Sequence, residues 1–75
     1  MNTSRLWINK KKRRYYKVMV YRDLLNDLVL RRNWGSLDTA RGGIKTEIVD
    51  QQQAADLLVK IGKQRIKRNY EAVDS

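Results

Sequence analysis

Not one of the 75 residues is Cys or His, and that absence constrains the fold more than any motif does. Without thiols or imidazoles there is no disulfide and no Cys/His metal centre to hold a small chain together. A chain of this length buries only about 60% of the surface its unfolded form exposes. Its structure must therefore come from one thin core of its own apolar side chains, which make up 41% of the sequence. A single domain is expected, with no room for a deep substrate pocket.

The same absence limits the chemistry. The commonest general base and the commonest zinc ligand are both missing. The carboxylates are Asp23, Asp27, Asp38, Glu47, Asp50, Asp56, Glu71 and Asp74. None of them forms a pair whose spacing marks it as acid and base, and turn and cap positions account for several. Gly43-Ile44-Lys45-Thr46 resembles the tail of a phosphate-binding loop, but Ile44 interrupts the motif and a strand follows where a helix is needed. No enzyme, no cofactor and no metal is the expectation. No apolar run approaches a membrane span or a signal-peptide core, which predicts an intracellular, cytoplasmic protein without a membrane role.

What the chain has instead is positive charge. Lys and Arg number 17 against 8 Asp and Glu, a net charge of +9. Of this, residues 1–33 carry +8, with ten cations against two acids. Such a balance predicts a polyanionic partner, nucleic acid first.

Tyr16, Val18 and Val20 alternate with Tyr15, Lys17, Met19 and Tyr21, the period of a strand rich in aromatic and β-branched residues. Asn26-Asp27 marks a hairpin turn into a second strand ending at Trp34-Gly35. On that strand Leu28, Leu30, Arg32 and Trp34 share one face, and Val29, Arg31 and Asn33 the other. Residues 35–43 read as a loop closing on Arg41-Gly42-Gly43, whose glycines would supply positive φ angles. A third strand then sets Ile44, Thr46 and Ile48 against Lys45, Glu47 and Val49. A short strand near residues 5–9 adds to the edge. The connections are too short for parallel crossovers, so the pairing is antiparallel.

Asp50 opens a helix, with Gln53 at the reciprocal capping position. Ala54, Leu57, Leu58, Ile61 and Ile66 form its apolar stripe. The architecture is α+β: a small antiparallel β-sheet with one C-terminal amphipathic helix packed on one face. Residues 1–14 read as a basic N-terminal arm, 15–70 as the domain, and 71–75 as a frayed tail.

Two features carry function. The run Lys10-Lys11-Lys12-Arg13-Arg14 favours phosphate contact with release of condensed counterions. Trp34 would be core by pattern alone. It stands beside Arg31, Arg32 and Asn33, a setting that can also present an aromatic platform to a base or sugar.

These residues resemble the WGR domain, a module of poly(ADP-ribose) polymerases also found in small bacterial proteins. The resemblance rests on Tyr16-x-Val18-x-Val20, Val29-Leu30-x-Arg32-x-Trp34-Gly35, the loop to Gly43, Glu47, Ala54-Ala55 and Lys67-Arg68-Asn69-Tyr70. It implies a sheet with a helix on one side. It also implies binding of DNA near a strand end, with Trp34 against a terminal sugar. Cations near it, Arg31, Arg32, Arg41 and Lys45, would grip phosphates. The third motif position, usually Arg, is Ser36 here, which weakens the case for damage signalling. The expected function is a monomeric, non-enzymatic nucleic-acid-binding module, DNA before RNA. The alternative is a protein-interaction adaptor using the same Trp and basic surface.

Overall fold

The computed structural model describes residues 2–73. The elements run β1 (Thr3–Asn9), β2 (Arg14–Arg22), β3 (Leu28–Ser36), β4 (Gly42–Ile48), α1 (Gln51–Lys67) and β5 (Glu71–Val73). All strand pairs are antiparallel, in the order β4-β3-β2-β1-β5. The α+β architecture is the one the alternation and the capping box imply. No described helix is long and apolar enough to cross a membrane.

Register sorts the two faces. Val18 pairs with Arg32, Val20 with Leu30 and Tyr16 with Trp34, and Tyr16 pairs with Trp7 on its other side. These side chains share the face on which α1 lies. The core is Trp7, Val18, Val20, Leu28, Leu30 and Val49 from the sheet side, with Ala54 and Ile61 from the helix. Val29 is buried too, but on the opposite face and outside that cluster. That opposite face has no helix over it, and Ile44 and Ile48 on it are exposed.

Helix α1 starts as its sequence dictates. The Asp50 carboxylate accepts from the Gln53 amide at 2.8 Å, and Gln53 Oε1 accepts from the Asp50 amide at 2.9 Å. Both groups satisfy amides that the first turn leaves unpaired. Its stripe departs from the expected one at the end. Ile66 is exposed, and Arg65, four residues on from Ile61, takes the inward position. Helical geometry rather than hydrophobicity decides this: positions 54, 58, 61 and 65 share a face.

Two boundaries also differ from the sequence reading. The arm expected over residues 1–14, with a short strand near 5–9, is a longer strand and a tight turn. β1 pairs with β2 from Thr3 to Asn9, and residues 10–13 turn the corner with Arg13 at φ 55. Trp7, buried in the core, is what holds this strand, whereas the five cations that follow it mask the pattern. The tail is shorter than expected, because residues 71–73 pair with β1 as β5. Residues 1, 74 and 75 lie outside the described residues.

The glycines of the Arg41-Gly42-Gly43 segment do not supply positive φ; no described glycine has one. They permit close approach instead. A Cβ on Gly42 would lie 2.2 Å from the Trp34 carbonyl oxygen, and one on Gly43 would lie 2.5 Å from the Trp34 ring. The left-handed positions fall to Arg13, Asn26 and Asn69. At the β2–β3 turn, Asp23 Oδ1 accepts from the amides of Leu25 and Asp27, which fixes the turn around Asn26.

Candidate functional site

The helix covers only part of its face of the sheet. Along β2 the inward residues run Val20, Val18, Tyr16, Arg14, and along β3 they run Leu28, Leu30, Arg32, Trp34. The apolar ends lie under α1. The aromatic and cationic ends line a cleft of about 670 Å³ beside the helix C-terminus. Seven cations border it, namely Lys12, Arg14, Arg32, Arg41, Lys45, Arg65 and Arg68, and no carboxylate of the described residues does. Tyr16, Trp34 and Tyr70 supply aromatic surface.

Trp34 is 38% exposed. Its ring stacks on Tyr16 with centroids 6.2 Å apart and an interplanar angle of 16°. It also leans over Gly43, filling the space that a Cβ there would need. A glycine opposite an aromatic residue on a neighbouring strand lets the ring lie against the backbone. Trp34 is thus held on Tyr16 and β4 while part of it remains open to the cleft.

The rim is pinned at two places. Asn9 is 2% exposed, its Nδ2 donates to the Arg68 carbonyl at 3.2 Å, and its Oδ1 accepts from the Lys12 amide at 2.9 Å. One amide side chain therefore ties the β1–β2 turn to the end of the helix. On the other side Arg13 grips Asp38 through two hydrogen bonds, at 3.0 and 3.3 Å, and the Leu37 amide donates to the Arg13 carbonyl at 2.8 Å. The hydrogen bond from Arg13, helped by its charge, holds the Asp38 carboxyl below its ordinary value, with desolvation opposing. Ser36 Oγ accepts from the amides of Asp38 and Thr39, so Ser36 shapes this loop.

The helix C-terminus places the last wall. Asn69 is left-handed, the Asn69 amide donates to the Ile66 carbonyl at 3.0 Å, and the Tyr70 amide donates to the Arg65 carbonyl at 2.9 Å. This is a Schellman closure, with Asn in the place glycine usually takes. It sets Tyr70 against Arg65, whose guanidinium carbon lies 5.1 Å from the Tyr70 ring centroid and 4.2 Å from that of Tyr16.

Of the candidates read from sequence, Trp34, Arg32, Arg41, Lys45, Lys12 and Arg14 meet in the cleft. Arg31 does not: it pairs with Met19 and Thr46 on the opposite face, because side chains alternate along β3. Lys10 and Lys11 sit in the turn outside the cleft lining, and Arg13 is turned to Asp38. Arg32 donates to Glu47 at 3.0 Å, which offsets part of its charge. The lining residues that sequence did not single out for the site include Tyr16, Arg65, Arg68 and Tyr70. The signal for Arg65 was present, since the helical period puts a guanidinium where the next hydrophobe was due.

No curated protein and no solved structure matches the chain significantly. A family model, described as the WGR domain, matches residues 3–75, essentially the whole chain. The strand that would have been an arm and the strand that would have been a tail both fall inside that match. The chain belongs to the WGR domain family.

Proposed function

We propose that this chain is a non-catalytic nucleic-acid-binding module that prefers DNA and engages it near a strand end through Trp34. WGR domains are nucleic-acid-binding modules in poly(ADP-ribose) polymerases and related proteins. The observation that carries the reading is the cleft itself, in which cations without carboxylates surround a part-exposed Trp34. Inside a duplex each base is stacked between its neighbours and each sugar is flanked on both sides along the backbone, whereas a terminal nucleotide leaves a face free for an indole. Arg41, Lys45, Arg14 and Lys12 then meet phosphates, and Arg32 joins them to the extent that Glu47 releases it. If about six phosphates are met, the log–log salt slope for duplex DNA is near −5.

The test compares a blunt duplex with an end-free circular duplex of matched sequence, at about 150 mM salt. A Trp7→Phe background leaves Trp34 as the sole indole, so fluorescence quenching reports the cleft alone. Tighter binding to the blunt duplex, lost in Trp34→Ala, is the expected result. The loss should be about 5- to 150-fold, the range for one aromatic stack. Equal losses on blunt and circular DNA would refute end engagement by Trp34. The adaptor reading draws on the same exposed Trp and arginines, which are favoured anchors of protein interfaces. It gains ground only if neither DNA binds.

A further inference from the structure

Arg65 differs from every other cation of the cleft, because the fold has taken it out of water. It is 9% exposed, and its Nε, like that of Arg32, has no hydrogen-bond partner, but Arg32 has Glu47 beside it and Arg65 has no carboxylate among the described residues. The ion pairs among the described residues are Arg13–Asp38 and Arg32–Glu47, so no carboxylate answers this guanidinium. Its contacts are aromatic, with Tyr16 on one side and Tyr70 on another. Ring faces attract a cation and offset part of its desolvation, but they do not accept the forked N–H donors of a guanidinium.

An apolar side chain of similar length at this inward helical position would be expected to stabilise the fold better, since buried charges are often replaceable by hydrophobes at a gain. Stability alone therefore does not account for Arg65. The rest of the helix C-terminus fits the same view. The Schellman closure fixes Tyr70 against Arg65, and Asn9 ties the β1–β2 turn to the end of the same helix through the Lys12 amide and the Arg68 carbonyl.

We propose that Arg65 is a phosphate-receiving group on the floor of the cleft, distinct from the Trp34 platform and cooperating with it. The ligand group is a phosphate ester, carried either by the nucleic-acid strand whose end lies on Trp34 or by a free nucleotide. This rests on the nucleic-acid reading for the first source and not for the second. Through the shared Tyr16 ring, the guanidinium carbon and the indole centroid are at most about 10 Å apart, within the reach of two or three successive nucleotides, which rise about 3.4 Å each along a duplex axis. One bound strand therefore reaches both. Burial fixes the guanidinium in place before the ligand arrives and leaves its donors free for the oxyanion.

The experiment uses the whole chain and three variants: Arg65→Met, Arg65→Lys, and Lys60→Gln as a control that removes one exposed helix charge outside the cleft lining. The ligands are the blunt duplex, adenosine 5′-monophosphate and inorganic phosphate. Binding is measured by calorimetry across a salt series, and each variant is also melted. The expected result is that Arg65→Met loses about 10- to 100-fold in affinity and about 0.9 from the duplex salt slope. Its melting temperature should hold or rise, and Lys60→Gln should change affinity less than about twofold. Dependence on Arg65 with the duplex alone assigns the phosphate to a strand. Dependence with the mononucleotide as well admits a free nucleotide.

A lower melting temperature in Arg65→Met, with affinity no worse than in Lys60→Gln, would overturn the proposal and leave Arg65 a structural pillar. If the Met variant does not fold, Arg65→Lys decides. A severalfold loss with the charge retained supports the fork, and an unchanged affinity refutes it. If no DNA binds at all, the reading of the previous subsection fails. The mononucleotide and phosphate arms then stand alone: Arg65-dependent binding supports the site, and its absence refutes it.

Discussion

Two halves of one sheet face have opposite fates. Under α1, Val18, Val20 and Leu30 are at most 1% exposed. A few residues along the same strands, Tyr16, Arg32 and Trp34 point the same way but line a cleft, where α1 contributes Arg65 over Tyr16 rather than an apolar cover. Backbone geometry is continuous across the boundary, so it does not make the difference. Side-chain chemistry does, because apolar groups gain from the helix covering them, and a row of cations does not. One strand can thus be core at one end and binding surface at the other, a division that a small domain needs when it has a single sheet to use for both.

The sharpest way to break this comparison is to remove matched groups from each half. Leu30→Ala should cost about 2–5 kcal/mol of stability, seen as a lowered denaturant midpoint, with ligand affinity of the folded fraction unchanged. Trp34→Ala should do the reverse, costing affinity far more than stability. If the two variants destabilise equally, the halves are one core and the division fails.

A finer cut lies between neighbouring glycines. Gly42→Ala drives a Cβ into the backbone at the Trp34 carbonyl, so it should destabilise by about 1–3 kcal/mol as β3 and β4 are forced apart. Gly43→Ala meets only the indole. It should displace the ring and weaken DNA binding with a smaller stability cost, although no charge has changed. Equal melting shifts for the two would show that Trp34 is not seated on Gly43 as described.

On the covered side, Gly62 lies inside α1 with ordinary space around it, and a Cβ there would lie 3.7 Å from the Trp7 ring. Gly62→Ala should therefore raise stability by about 0.5–1 kcal/mol and leave binding alone. A drop in melting temperature would mean the helix sits closer to Trp7 than the geometry indicates.

The smallest effect is electrostatic and belongs to the open side. A carboxyl held below its ordinary value stabilises the fold above that value, and the contribution disappears as pH falls through the lowered one. Asp38 is such a group, against an ordinary 3.8. In Arg13→Gln its titration midpoint, followed by carboxyl NMR, should move up toward that ordinary value. A midpoint that stays put would show the ion pair is not formed in solution.

Much of this was legible in the residues. The alternation over Tyr15–Tyr21, the Asp50/Gln53 box and the face shared by Arg32 and Trp34 each follow from local periods that the structure keeps. The failures have a common physical origin. The sequence marks only a short strand near residues 5–9; β1 runs Thr3–Asn9 and is held by Trp7 reaching a core assembled from distant strands, a role no local pattern reports. Gly42 and Gly43 are needed for contacts across to β3, not for their own dihedrals. Arg65 and Tyr70 become neighbours only when Asn69 turns the chain. Tyr16 and Arg68 join the site through long-range packing, rather than sequence spacing, which brings them to the cleft of Trp34.

The Asn9 clamp has a kinetic consequence. Because one buried amide fastens the β1–β2 turn to the end of α1, these two walls of the cleft have no hinge between them. Capture then involves no closing step there, and association is set by how fast an anion is steered in by the surrounding charge, which makes it fast and steeply dependent on ionic strength. Differences among ligands will be written in how long each one stays.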